Sequence, residues 1–183
     1  MIKENNIKKE LRKLGKAFNV LLVVPAEKLQ QNMNEVLKLL SVDVTPGIYI
    51  SLSKPYSSIK NNLERNKIDA KHILFIDCIT KSVSKPEEHK DISYVHSPAD
   101  LTGLGIALGE FMEGISSNKF LLIGSLSTLL IYNNMNVVAA FVGSITGKSA
   151  VWGIKTVIVA SPGKNEEFIK KITPFFDKVL RVE

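Results

Sequence analysis

Apolar residues fall in two alternating rhythms along this chain. Short, nearly unbroken apolar runs lie at 18–24, 48–52, 72–77, 120–123 and 156–160, and 176–182 closes the chain with Val179 and Val182 in alternation. Runs of this length, rich in Val, Ile, Leu and Phe, predict strands buried on both faces, with the last as an edge strand. Between them apolar residues recur every three or four positions, the spacing of a helix face. Ile7, Leu11, Leu14 and Phe18 form one such stripe, and Leu29, Met33, Val36, Leu37 and Leu40 mark a helix over 26–40. A short helix begins at Ser53-Lys-Pro-Tyr, with proline in its first turn. Ser97-Pro-Ala-Asp reads as a helix start with Ser97 at the cap, and Leu101, Leu104, Leu108, Phe111, Met112 and Ile115 continue it. Further helices are expected through Val137, Val138, Phe141 and Ile145, and over 165–172. Strands alternating with helices predict an α/β fold, a mostly parallel sheet with helices on both faces. Only 79–90 is polar and mixed in charge for long enough to suggest a mobile stretch, and no internal repeat or linker divides the chain.

Composition narrows the class. A chain of 183 residues, 45% hydrophobic and 23% charged, suits one globular domain with a real core. The single cysteine, Cys78, excludes an internal disulfide framework and fits a reducing compartment. The polar N-terminus and the absence of a long apolar run argue against a signal peptide or a membrane span, so a cytoplasmic protein is expected. The net charge of +6 is uneven: residues 1–16 carry six basic residues against Glu4 and Glu10, which leaves the remainder nearly balanced. Residues 1–16 are therefore read as a basic N-terminal helix and 17–183 as the core. Lys8, Lys9, Arg12, Lys13 and Lys16 are candidates for nucleic-acid contact, weighed against a plain solvated helix face.

Three segments carry a resemblance. Gly47-Ile-Tyr-Ile-Ser-Leu, Leu74-Phe-Ile-Asp-Cys and above all Leu121-Leu-Ile-Gly-Ser-Leu-Ser-Thr-Leu-Leu follow one another in this order after a first buried strand. The chain resembles the KaiC/RecA-like branch of P-loop ATPases over roughly 17–183, most of all the degenerate KaiC-like proteins common in archaea. The resemblance implies a RecA-like core, a phosphate loop after the first strand, glutamates after the second, and an aspartate that holds magnesium at the position of Gly124. None of the three stands here. After the first strand the chain reads Val-Pro-Ala-Glu-Lys-Leu, with no glycine to let backbone N–H groups wrap a phosphate, and Pro25 removes a donor. After the second strand it reads Ser51-Leu-Ser-Lys-Pro, and Gly124 has no side chain. Three parts of an ATP site are missing together, so no ATP hydrolysis, no catalytic residue, no cofactor and no metal are expected.

Other motifs have plainer explanations. Gly143-Ser-Ile-Thr-Gly-Lys-Ser has three residues between its glycines instead of four and follows helical sequence, which predicts a helix end capped by Gly147 with Lys148 near the dipole's negative end. The glycines of 103–109 lie inside a helix and suggest close helix packing. His72, His89 and His96 lack metal spacing, Cys78 reads as a core thiol, and Trp152 as a buried anchor or an interface aromatic. Asp77 ends a buried strand, where a carboxylate usually accepts backbone N–H bonds from the next loop, although strand ends are also where ligands bind.

Three functions follow as expectations. The first is a non-catalytic scaffold or regulatory interaction module that binds a protein partner or self-associates. The second is an accessory protein that binds nucleic acid through the basic helix. The third is a sensor that binds a nucleotide or small ligand without hydrolysing it, using Pro25, Lys28, Ser53, Lys54, Asp77, Gly124 and Ser125.

Overall fold

A computed structural model, describing residues 6–42, 45–115 and 118–183, shows one seven-stranded sheet. The elements run α1 (Ile7–Arg12), β1 (Phe18–Val23), α2 (Leu29–Leu40), β2 (Gly47–Ser51), α3 (Tyr56–Arg65), β3 (Ile73–Asp77), α4 (Thr80–Val83) and β4 (Ile92–Tyr94). They continue with α5 (Leu101–Gly114), β5 (Phe120–Gly124), α6 (Leu129–Tyr132), α7 (Met135–Trp152), β6 (Lys155–Ala160), α8 (Glu166–Ile172) and β7 (Lys178–Arg181). The strand order is β4-β3-β2-β5-β6-β1-β7, and every pairing is parallel.

The apolar runs explain this arrangement. All six residues of β1 are buried, with Leu21 and Val23 facing one core and Val20 and Leu22 the other. On the first face Leu104 and Leu108 of α5, Val138 and Val142 of α7 and Phe168 of α8 close the core. On the second, Ile7 and Leu11 of α1, Val36 and Leu37 of α2 and Ile59 and Leu63 of α3 do so. Each such side chain contributes about 1.5–3 kcal/mol of hydrophobic stabilisation, which leaves no room for a one-residue register slip. The register of β2 on β5 has a further lock. Gly47 pairs with Phe120, and a Cβ at Gly47 would fall inside the Phe120 ring.

Several local expectations change. The first helix ends at Arg12, and Phe18 opens β1 instead of extending the helix stripe; Lys3 and Glu4 lie outside the described residues. The strand β4, beside β3 at the sheet edge, was not legible because three residues are too few to set a period. Within the polar stretch, Thr80–Val83 forms a single helical turn. The cap of α5 is Asp100, whose carboxylate accepts from the Gly103 N–H at 2.8 Å; Ser97 instead bonds the Ala99 N–H at 3.2 Å. Gly103 leaves room for that carboxylate, whereas Gly105 and Gly109 face open space and mediate no close helix packing. Helix α7 continues through Gly147 and Lys148 and ends at Gly153, the residue that adopts the left-handed conformation, φ 67° and ψ 42°. Trp152 is exposed, not a buried anchor. Among the described residues, no helix is long and apolar enough to cross a membrane.

Candidate functional site

The chain leaves β2 toward β3 on one side and leaves β5 toward β6 on the other, although β2 and β5 are neighbours. Connections that diverge from adjacent parallel strands open a crevice at their carboxyl ends, the usual ligand position in open α/β sheets. A cavity of about 190 Å³ lies there, between the start of α2 and the ends of β2 and β5. Ser53, Lys54, Gly124 and Ser125 all line it, together with Glu27, Gln30 and Met33 from the helix side and Tyr49 from β2.

Gly124 is where the sheet meets Met33. A Cβ at residue 124 would stand 2.7 Å from the Met33 Cε, closer than carbon atoms approach. The terminal methyl of Met33, on α2, would therefore have to shift to admit a side chain at 124. Tyr49 Oη lies 3.6 Å from the same point. The Tyr49 side chain is 5% exposed and packs against Phe75 at 5.7 Å between ring centroids. Burial pushes its hydroxyl well above the usual phenol range, and the hydroxyl has no hydrogen-bond partner among the described residues. Just past Gly124, Ser125 holds φ 60° and ψ 50°, a left-handed conformation that costs a non-glycine residue about 1–2 kcal/mol. Its hydroxyl pairs with Thr128 Oγ1 at 2.7 Å. Strain of this kind persists where the surroundings over-determine it, often at binding sites.

Polar bonds span the crevice on the α3 side. Lys54 Nζ donates to Gln30 Oε1 at 2.7 Å, and Gln30 Nε2 donates to Asn34 at 3.2 Å and Asn62 at 3.3 Å. Ser51 Oγ donates to the Lys54 carbonyl at 2.6 Å, which fixes the loop carrying Ser53 and Lys54.

The other expected ligand residues are placed elsewhere. Asp77 is fully buried: Oδ1 accepts from the N–H groups of Ile79 and Thr80 at 2.7 and 2.9 Å, and Oδ2 from the Tyr56 N–H at 2.6 Å and Thr80 Oγ1 at 2.5 Å. It ties the starts of α3 and α4 to the end of β3 and does not line the crevice. Pro25 precedes the 3-10 turn Ala26–Lys28 and Lys28 donates to the Glu183 carbonyl at 2.6 Å, so neither reaches the cavity wall. Tyr49, Gln30 and Met33 were missed by sequence reasoning, since each sits inside a strand or helix whose pattern reads as scaffold. A hydroxylated ring in an otherwise apolar strand was the one available signal, because a buried Tyr needs a partner for its O–H.

Lys8, Lys9 and Arg12 on α1, and Lys13 and Lys16 after its end, are all exposed. Lys13 is held by Glu10 at 2.5 Å, and Lys178 from β7 reaches the other oxygen of the same carboxylate. These two hydrogen-bonded cations lower the Glu10 carboxyl to about 2. Burial, with the nearby Asp77 and Asp100 charges, pushes the Cys78 thiol up to about 12, which keeps it an unreactive core group. Among the described residues, no group of three or more His, Cys, Asp or Glu is placed to hold a metal ion.

No family model and no curated protein sequence matches the chain. Solved structures do. The KaiC-like protein PH0186 of Pyrococcus horikoshii superposes with a TM-score of 0.64 at 13% identity, covering 91% of this chain and 72% of that one. PH0250 of the same organism gives 0.61 at 9% identity, covering 96% and 87%. PH0321, an uncharacterised protein of that organism solved in complex with an unknown peptide, gives 0.72 at 12% identity, covering 99% and 84%. Identities this low carry the fold alone, and the fold of this chain is the KaiC-like α/β sheet.

Proposed function

We propose that this protein is a non-hydrolysing representative of the KaiC-like fold that acts as a scaffold or regulatory module. The observation that carries this reading is Met33. Its methyl group lies beside Gly124, 2.7 Å from where a Cβ would stand, and Gly124 itself has no side chain to offer at the strand end where the resemblance implies a metal-binding aspartate, which supports this reading. The turn after β1 supports the same reading. It is a 3-10 turn introduced by proline, with Glu27 in it, where a phosphate cradle needs glycines and no negative charge. PH0321, which shares the fold, was solved with an unknown peptide, and by analogy we propose a protein segment as the partner of this chain. The test is phosphate release and thermal stability with ATP and magnesium. Neither turnover nor a magnesium-dependent shift is expected. A ligand at one hundred times its Kd would stabilise the protein by about 2.7 kcal/mol, so a clear shift, or turnover that survives repeated purification, would overturn the proposal.

A second reading is nucleic-acid binding through α1 and the residues that follow it, to Lys16. Lys8, Lys9, Arg12 and Lys16 are exposed, and no ion pair joins them to another described residue. Such contacts give salt-sensitive, sequence-independent affinity. Affinity for DNA unchanged by deletion of residues 1–16 would dismiss it.

A further inference from the structure

We infer that the crevice between β2 and β5 binds a small organic carboxylate, with Tyr49 Oη and Lys54 Nζ as its donors and Met33 against its apolar end. The inference rests on the reading that no nucleotide occupies this crevice.

Most polar side chains facing the cavity are already paired, Lys54 with Gln30 and Ser125 with Thr128. Tyr49 is the exception: the residue is 95% removed from solvent and its hydroxyl, which lies beside Gly124 at the cavity, has no protein partner. The hydroxyl is not fully enclosed, so it meets solvent through the cavity, and an acceptor oxygen from a ligand there would replace water. Lys54 supplies the one lysine ammonium on the wall, bonded only to the neutral amide of Gln30. Ala26 and Glu27, in the 3-10 turn that leads into α2, line the same wall.

Size and lining then narrow the class. About 190 Å³ is below the ~300–1,000 Å³ of pockets for drug-sized ligands. Leu29, Met33 and Ile59 give the cavity an apolar side, which suits a short hydrocarbon tail. A doubly charged phosphate has no such tail and meets the Glu27 carboxylate on the rim with only one lysine to offset it. A monoanionic carboxylate meets less repulsion. Glu27 itself is accounted for by its place in the first turn of a helix, where acidic residues are favoured.

The test is a titration of the full chain with sodium isobutyrate, followed by amide chemical shifts, with isobutyramide and inorganic phosphate at matched ionic strength in parallel. Saturable shifts confined to Ser53, Lys54, Gly124 and Ser125 are expected with isobutyrate and not with either control. Tyr49→Phe and Lys54→Met, with spectra of the folded protein retained, should each weaken binding by about tenfold, the usual weight of a hydrogen bond to a charged group. Glu27→Gln should tighten it. Equal response to isobutyramide or phosphate, no response at these four amides, or weaker binding in Glu27→Gln would each overturn the inference. A protein that ignores both isobutyrate and ATP refutes the carboxylate alone, whereas displacement of isobutyrate by magnesium-ATP refutes the underlying reading that no nucleotide occupies the crevice.

Discussion

Asp77 and Gly124 stand level with each other on either side of Ser51, at the carboxyl ends of β3 and β5. The first has the chemistry of a site and is used for structure. Its two oxygens take four donors, three of them backbone N–H groups, and its charge is enclosed by the loops it organises. The second has no side chain, yet the cavity, the unpartnered phenol and the strained Ser125 all gather around it. A reactive residue type at a strand end is thus weaker evidence of function than the balance of donors and acceptors around the position.

The contrast can be broken most severely at Asp77. Asp77→Ala leaves three N–H groups and a hydroxyl unpaired in the core, and should cost about 3–5 kcal/mol in urea unfolding. A loss below 1 kcal/mol would mean that the carboxylate is free for other work. Gly124→Asp comes next. Overpacking against Met33 and burial of a charge should cost about 2–4 kcal/mol without creating magnesium-dependent ATP binding. Combined with Met33→Ala, the two losses should sum to less than their separate values, because the second change vacates the space the first needs. Strict additivity would show that Met33 is not the obstacle. Ser125→Gly should be milder: relief of the left-handed strain outweighs loss of the Thr128 bond, for a net gain under about 1 kcal/mol. A clear destabilisation would assign the hydroxyl a larger structural part.

The smallest effect is expected far from both strand ends. Glu10 has a folded-state pKa below its ordinary value, so its contribution is present above about 4.5 and is lost as pH falls toward about 2. Protection of the Ile7 and Leu11 amides, measured relative to their intrinsic exchange rates at each pH, should fall over that interval, before the sheet opens. Lys178→Met should move the onset to higher pH; an unchanged onset would remove Lys178 from the account.

The order of the fold was legible because the buried runs of β1, β2, β3, β5 and β6 are long enough to outweigh local ambiguity. Where two signals competed within a few residues, the nearer-to-ideal motif misled. Ser97-Pro98 resembled a helix start more than Asp100 did, and Gly147-Lys148 resembled a stop, although α7 runs on to Trp152. Half of the site was legible for the same reason: Ser53, Lys54, Gly124 and Ser125 follow strand ends directly. Tyr49, Gln30 and Met33 converge only through the packing of α2 over β2 and β5, a distance relation that no single-element pattern contains.

Gly47 and Phe120 work as a keyed joint at the opposite end of the two strands that border the crevice. With the ring seated in the notch left by the missing side chain, β2 and β5 have one admissible alignment. That alignment puts Ser51 beside Gly124 at the other end. The alignment of the two strand ends that border the crevice is thus shared with a contact at the foot of the sheet. Gly47→Ala would force the Phe120 ring to move and disturb that alignment without altering a group that lines the cavity.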